Sequence, residues 1–228
     1  MCSTIPYAIL RQSPFPFARG NFFLFGVNKG FGLIQAIFFD AFGTLCEIRE
    51  KRNPYKPILK VWPSGVADAY QALMTRDSSP AELTKEAGCT PEAIQKMEEG
   101  IVAEVASMCL YPEVPALLEN IKPCGLKRVI VPNLATPYVE PLLKLLPFAP
   151  DARAWSFAVS YRKPQEGIYQ HACNALGVEP SSALMVGDSL ENDYNMPRQI
   201  GMQARFLKRS GKDENTPECV ADLSEILA

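Results

Sequence analysis

The sequence predicts an α/β fold, with a parallel sheet core flanked by helices and a small α-helical cap inserted after the first core strand. Two observations support this class. Short apolar runs alternate with longer segments of helical character, which is the order expected of right-handed β-α-β crossovers. The stretch over residues 47–110 is too long for a loop and has helical patterning.

The first apolar run, residues 34–39, ends at Asp40, which is typical of a strand buried on both faces with a functional residue at its carboxyl end. Similar runs predict further strands at 128–131, 154–159, 183–186 and 203–207. The segments between them predict helices at 113–121, 137–146, 165–176 and 192–200. Because ligands of parallel sheets lie at the carboxyl ends of strands, the polar residues that follow these runs are the candidate site.

The insert after the first strand has clear helix signals. Ser79 and Glu82 predict a capping box, and Thr90 followed by Pro91 predicts a second helix start. Apolar residues recurring at spacings of three and four predict one packed helix face, formed by Ile94, Met97, Ile101, Val105 and Met108. We therefore predict a wholly helical cap over residues 47–110 and a core over residues 34–46 and 111–228.

Residues 1–33 differ in composition from the rest, since no acidic residue precedes Asp40. We expect a poorly ordered extension rather than a targeting segment, because Pro14 and Pro16 interrupt any amphipathic helix. The apolar run at 22–27 is too short to span a bilayer, so no membrane association is expected. A formal net charge of -2 without basic clusters argues against nucleic acid as a partner.

The seven cysteines are scattered and never spaced C-x-x-C, and the chain has one histidine. This usage is typical of a reduced, cytoplasmic protein without a zinc site. The oligomeric state stays open.

Asp40 is the candidate nucleophile. The turn after it contains Gly43 and Thr44 and would present its carboxylate to an electrophile, so that a covalent intermediate can form. Lys163 precedes a proline and a predicted helix, where its charge can offset repulsion between acids and a phosphate.

Two further acids indicate a metal site. Asp188 follows a predicted buried strand, and Asp193 lies five residues later. Both can converge beside Asp40, and carboxylate oxygens are the ligands that magnesium prefers.

Over residues 34–210 the chain resembles the haloacid dehalogenase (HAD) superfamily of hydrolases, in its helical-cap subgroup. The family's four motifs fall in order at Asp40–Thr44, Pro132, Lys163 and Asp188–Asp193. The resemblance implies a Rossmann-like core, Mg²⁺ as cofactor and a small-molecule substrate, a phosphate monoester, hydrolysed through an aspartyl-phosphate intermediate. It also implies a cap that selects the substrate.

Carried over residue by residue, the resemblance assigns Asp40 and Lys163 as catalytic. It assigns Asn133, Thr44 and Phe42 to substrate binding, Asn133 through its backbone NH. The implied magnesium ligands are Asp40, Asp188, Asp193 and the backbone carbonyl of Phe42.

Two positions depart from the phosphatase pattern. Phe42 stands where those enzymes have a second Asp that protonates the leaving alcohol, and loss of a general acid/base costs about 10²- to 10⁴-fold in rate. Pro132 stands where a Ser or Thr normally donates to the phosphoryl group, and proline has neither a hydroxyl nor a backbone NH. We therefore expect slow turnover.

Two alternatives follow from these departures. The first is a catalytically weakened HAD-like protein with a binding or regulatory role. The second is a 2-haloacid dehalogenase-like hydrolase, because those enzymes also lack the second Asp; Arg49 or Arg52 would then cradle the halide. The acidic pair Asp188 and Asp193 argues against the dehalogenase, which uses no metal.

Overall fold

The computed structural model describes residues 33–212 and 214–227. The extension predicted over residues 1–33 lies, except for Leu33, outside the described residues. The β-strands are β1 (Ala36–Phe39), β2 (Cys46–Ile48), β3 (Met108–Leu110), β4 (Lys127–Ile130), β5 (Ala152–Arg153), β6 (Ala183–Gly187), β7 (Gln203–Leu207) and β8 (Cys219–Val220). The α-helices are α1 (Lys56–Val61), α2 (Val66–Thr75), α3 (Pro80–Ala87), α4 (Pro91–Ala106), α5 (Val114–Ile121), α6 (Val139–Leu145), α7 (Ser156–Val159), α8 (Glu166–Leu176) and α9 (Met196–Gln199).

Six strands form one parallel sheet in the order β5-β4-β1-β6-β7-β8. β1 lies inside the sheet and is fully buried. Its side chains alternate between two apolar clusters, with Ile37 and Phe39 on the face covered by α5, and Phe38 on the face covered by α8. This three-layer arrangement confirms the predicted α/β class with a Rossmann-like sheet.

The predicted strand over 154–159 is wrong. The strand β5 ends at Arg153, and Ser156–Val159 forms the short helix α7. The backbone NH of Ala154 still donates to the carbonyl of Ile130. Two residues later the chain has left the sheet, and the buried Ser156 hydroxyl accepts from the backbone NH of Leu134. A short apolar run does not distinguish a strand from a buried helical turn.

The helix predicted over 192–200 starts earlier and is irregular. A π-helical turn at Leu190–Asn195, capped by the Ser189 side chain, precedes α9. The helix predicted over 137–146 likewise begins with a 3₁₀ turn at Thr136–Tyr138 and continues as α6. In the first of these segments the Ser189 hydroxyl accepts from the backbone NH of Asn192, so a side chain occupies one of the early NH groups.

The insert contains the four helices α1 to α4, but it is not wholly helical as predicted. Its two ends pair as an antiparallel ribbon of β2 and β3, with Ile48 opposite Met108. Met108 therefore belongs to a strand and not to the α4 stripe, because α4 ends at Ala106. The predicted capping box of Ser79 with Glu82 is confirmed, and so is the Thr90 cap, which accepts from Ala93 N.

The apolar face of the insert packs toward the core. Met97 and Ile101 of α4 are buried in the same apolar cluster as Leu117 of α5 and Leu142 of α6. Along the described residues, no helix has both the length and the apolar character needed to cross a bilayer.

Candidate active site

The site lies at the carboxyl edge of the sheet, where β1 pairs with β4 on one side and β6 on the other. Asp40 directly follows β1, Asp188 directly follows β6, and Asn133 lies three residues after β4. Adjacent parallel strands bring their following loops together at one edge. The topology of the sheet therefore places the predicted residues side by side.

The loop after β1 holds Asp40 in a tight turn. Asp40 is 8% exposed, and its Oδ2 accepts a hydrogen bond from the buried Thr44 hydroxyl at 3.4 Å. Gly43 has φ +85°, and a Cβ at this position would lie 2.0 Å from Asp188 Oδ2. Only glycine combines this backbone conformation with so close a carboxylate.

Lys163 connects two of the acids. Its Nζ donates to Asp40 Oδ1 at 2.7 Å and to Asp193 Oδ1 at 2.6 Å, and the residue is 2% exposed. Burial alone lowers the pKa of Lys163, but the charges of Asp193 and Asp40 outweigh burial and raise it. The ammonium group therefore stays charged between the two carboxylates.

Asn133 holds the backbone of Lys163. Its Oδ1 accepts from Lys163 N at 2.7 Å, and its Nδ2 donates to Lys163 O at 2.9 Å. The Lys163–Pro164 peptide bond is cis. The side chain of Asn133 thus orients the lysine, a contact that the sequence did not predict; the predicted contact of its backbone NH with substrate stays a prediction.

Asp40, Asp188 and Asp193 form an acidic cluster, with one carboxylate oxygen of each within 4.8 Å of the others. Burial and the charge of Asp40 raise the pKa of Asp188. Burial and the charge of Asp40 also raise the pKa of Asp193, to about 6, against the lowering effect of Lys163. One ammonium group does not neutralise three carboxylates, so the donor set fits a hard divalent cation.

Phe42, two residues after the candidate nucleophile Asp40, makes an aromatic contact with Tyr138. Its ring is half-buried and meets the edge of the Tyr138 ring, with centroids 5.9 Å apart and planes at 82°. The Tyr138 hydroxyl donates to Oε2 of the buried Glu104 on α4 at 2.5 Å. Phe42 therefore contacts a hydrogen-bonded pair that joins the core to the insert.

The sequence did not reveal the role of Arg209. Its Nε donates to the carbonyl of Gly43 at 3.1 Å and its Nη2 to that of Thr44 at 2.7 Å. Its Nη1 pairs with Glu113 at 2.6 Å, and the guanidinium lies over the Tyr111 ring at 3.5 Å. No motif or spacing marks this residue, because its contacts are all distant in sequence.

Three other arginines lie in the insert or contact it. Arg162 bonds Gln71 of α2 at 2.9 Å and lies over the ring of Tyr70, so it joins the segment before Lys163 to the insert. Arg49 and Arg52, the halide candidates of the dehalogenase alternative, have exposed side chains that pair with Glu47 and Glu50. Pro132 is buried after β4.

Comparison with known proteins bears on this geometry. A family model described as haloacid dehalogenase-like hydrolase matches residues 34–201. The phosphoserine phosphatase of Thermus thermophilus is 28% identical over 196 residues, which are 76% of this chain and 76% of that protein.

Solved structures share the fold. A HAD phosphatase from Thermococcus onnurineus superposes with a TM-score of 0.61 at 24% identity, over 85% of this chain and 96% of that chain. A HAD family enzyme from Bacteroides thetaiotaomicron, solved in complex with magnesium and inorganic phosphate, superposes with a TM-score of 0.59 at 15% identity, over 80% of this chain and 98% of that chain.

Proposed function

The chain belongs to the haloacid dehalogenase-like hydrolases, and from this premise we propose that it is a magnesium-dependent phosphatase of small phosphate monoesters. One observation carries the proposal: Lys163 lies between Asp40 and Asp193, and Asp188 completes an acidic cluster whose oxygens are within 4.8 Å of one another. A nucleophile, a cation clamp and a hard-metal donor set are the parts that phosphoryl transfer requires. The magnesium and phosphate in the Bacteroides enzyme support the same assignment.

In the proposed reaction, an Asp40 carboxylate oxygen forms a bond to phosphorus while the bond from phosphorus to the ester oxygen breaks. Water then attacks phosphorus of the aspartyl-phosphate and loses a proton to solvent, while the bond from the Asp40 oxygen to phosphorus breaks; phosphate leaves and the Asp40 carboxylate is restored. Lys163 offsets negative charge on Asp40 and Asp193 throughout. Magnesium held by Asp40, Asp188, Asp193 and the Phe42 carbonyl would supply charge neutralisation for the phosphoryl group.

The proton of the leaving alcohol is the weak point of this reaction. Phe42 has no ionisable group and cannot donate a proton. Its ring contacts the Tyr138 ring. The alkoxide must therefore take its proton from solvent, and turnover should be about 10²- to 10⁴-fold slower than with an acid at this position. A leaving group of low pKa relieves this need, so activated esters should be the better substrates.

The replacement of two motif residues also supports a second candidate function. Phe42 and Pro132 together remove a proton donor and a phosphoryl contact, which suits a protein that binds a phosphorylated ligand with little turnover. The scattered cysteines, none spaced C-x-x-C, support a reducing, cytoplasmic location for either function.

The test uses the full 228-residue chain. Phosphate release from phosphoserine and from p-nitrophenyl phosphate is measured with magnesium and with EDTA, and halide release is measured from a 2-haloacid. The Asp40→Asn variant removes the nucleophile, and Asp77→Asn, an exposed change of the same chemistry, is the control. Magnesium-dependent phosphate release that is lost only in Asp40→Asn supports the proposal; metal-independent halide release contradicts it. Ligand-induced thermal stabilisation without turnover favours the second candidate.

A further inference from the structure

The insert contains a groove of about 790 Å³ between the segment 52–60 and helix α4. Four of its lining residues are cationic, namely Arg52, Lys56, Lys60 and Lys96, and one is acidic, Glu99. None of the residues of the candidate active site lines it. The groove is therefore a separate concave surface with an excess of positive charge, in a chain whose formal net charge is -2.

One wall of the groove is held rigidly. Gly100 lies in the middle of the 16-residue helix α4, and a Cβ there would come within 3.1 Å of Pro54 Cβ and 3.4 Å of Arg52 Cβ. The backbone NH groups of Arg52 and Asn53 each donate to Oε1 of the buried Glu104 at 2.8 Å. A mid-helix glycine is less favourable for helix stability than alanine, and here it permits the close packing of this segment.

The positive charge of the groove is largely uncompensated. Arg52 pairs with Glu50 at 2.9 Å, whereas Lys56, Lys60 and Lys96 have no ion pair with any residue in the described ranges. The carboxylate of Glu99 accepts from Gln95 Nε2 at 2.8 Å on the same helix. These three lysines are exposed, and together they give the concave surface a positive potential that attracts an anion most strongly at low salt.

We propose that this groove binds a small anion with several negative charges, of the class of condensed phosphates and phosphorylated metabolites. The groove volume is in the range of about 300–1,000 Å³ typical of small-molecule sites. All four cationic residues line this one cavity, so they suit a compact anion better than an extended polymer. The rigid wall means that the site needs little rearrangement to bind.

Inorganic pyrophosphate is the probe, and binding to the full chain is measured by isothermal titration calorimetry. Divalent metal is removed from the protein and the buffers with a chelating resin before the titration, because without metal the carboxylates of the candidate active site repel the probe. The test variant is Lys56→Gln/Lys60→Gln/Lys96→Gln. The matched control, Lys85→Gln/Lys122→Gln/Lys144→Gln, changes the net charge by the same amount at exposed positions away from the groove.

We expect saturable binding that weakens as salt is added, with a dissociation constant about tenfold or more higher in the test variant and less than threefold higher in the control. Equal losses in both variants would mean that net charge alone attracts the probe, and that result overturns the proposal. Unchanged affinity in the test variant, or no saturable binding by the unsubstituted chain, does so as well.

A second variant keeps the proposal testable if the triple lysine variant does not fold. Ala103 lines the groove and is partly exposed, so Ala103→Glu adds a carboxylate among the lysines and should leave the fold intact. It should abolish pyrophosphate binding while circular dichroism and the melting temperature stay near those of the unsubstituted chain. Retained binding in Ala103→Glu would contradict the location of the site.

Discussion

Replacing Phe42 with aspartate puts a proton donor at the position where the proposed reaction lacks one. The backbone around residue 42 already has the required turn, since Gly43 N donates to Cys46 O at 2.8 Å and does not depend on the ring. The new carboxyl group would stand beside Asp40, in place of an aromatic contact. We therefore expect faster phosphate release and a less stable protein.

The stability cost can be worked out from the contacts of the ring. A half-buried phenylalanine contributes about 0.8–1.5 kcal/mol, half the value for full burial. The edge-on contact with Tyr138 adds about 0.5–1.5 kcal/mol. The sum, about 1.3–3 kcal/mol, is below the 5–15 kcal/mol stability of ordinary domains, so the variant should fold.

The gain in rate is expected to be about 10²- to 10⁴-fold with phosphoserine, which needs a proton on its leaving group. With p-nitrophenyl phosphate the gain should be much smaller, because that leaving group departs unprotonated at neutral pH. Phe42→Asn is the matched control, since it removes the same ring and supplies no acid. Urea unfolding of both variants checks that they are folded.

The comparison of Asp with Asn isolates proton transfer. Equal rates for Phe42→Asp and Phe42→Asn, with both variants folded and magnesium present, would refute the reasoning that the missing acid limits turnover. Equal gains with both substrates would refute the link to the leaving group.

Four more predictions concern the contacts around this site. Arg209→Lys keeps the charge but not both carbonyl contacts, so kcat should fall about tenfold or more with little change in KM, whereas Arg205→Lys should have no effect. Asp188→Asn should remove the rise in melting temperature that magnesium causes in the unsubstituted chain; a rise that persists would exclude Asp188 as a ligand. Magnesium affinity should fall as the pH drops through about 6, because Asp193, whose pKa burial raises to about 6, is then protonated; affinity constant down to pH 5 would contradict this. Tyr138→Phe should destabilise the fold by about 1.5–3 kcal/mol in urea unfolding by removing a donor to Glu104, in contrast to Tyr161→Phe at the surface.

Much of the architecture follows from local sequence. The apolar runs before Asp40 and Asp188 predict strands that are buried on both faces, and parallel pairing of those strands is enough to bring the two acids together. Lys163 reaches them because its loop precedes α8 on the same edge. These inferences need only the order of the motifs along the chain and the usual handedness of crossovers.

The remaining features depend on contacts between distant segments. Arg209 donates to the backbone carbonyls of Gly43 and Thr44, which lie 166 and 165 positions earlier in the chain. Every residue has a backbone carbonyl, so a sequence pattern cannot indicate such a contact. The ribbon of β2 and β3 forms across the whole insert, so neither three-residue strand has a recognisable pattern of its own. The helix at Ser156–Val159 replaces a predicted strand because a buried hydroxyl contact outweighs local propensity.

The ribbon has a consequence for protein engineering. The insert leaves the core at Ile48 and returns at Met108, and these residues face each other in one antiparallel pair. A helical unit from another protein can be grafted there if its two ends lie next to each other. The length of the grafted unit does not affect the register of the six-stranded sheet, because β2 and β3 are not part of that sheet. The helical unit can therefore be exchanged at this point, provided that the replacement covers the apolar surface now buried by Met97 and Ile101 and supplies partners for Tyr138 and Arg162.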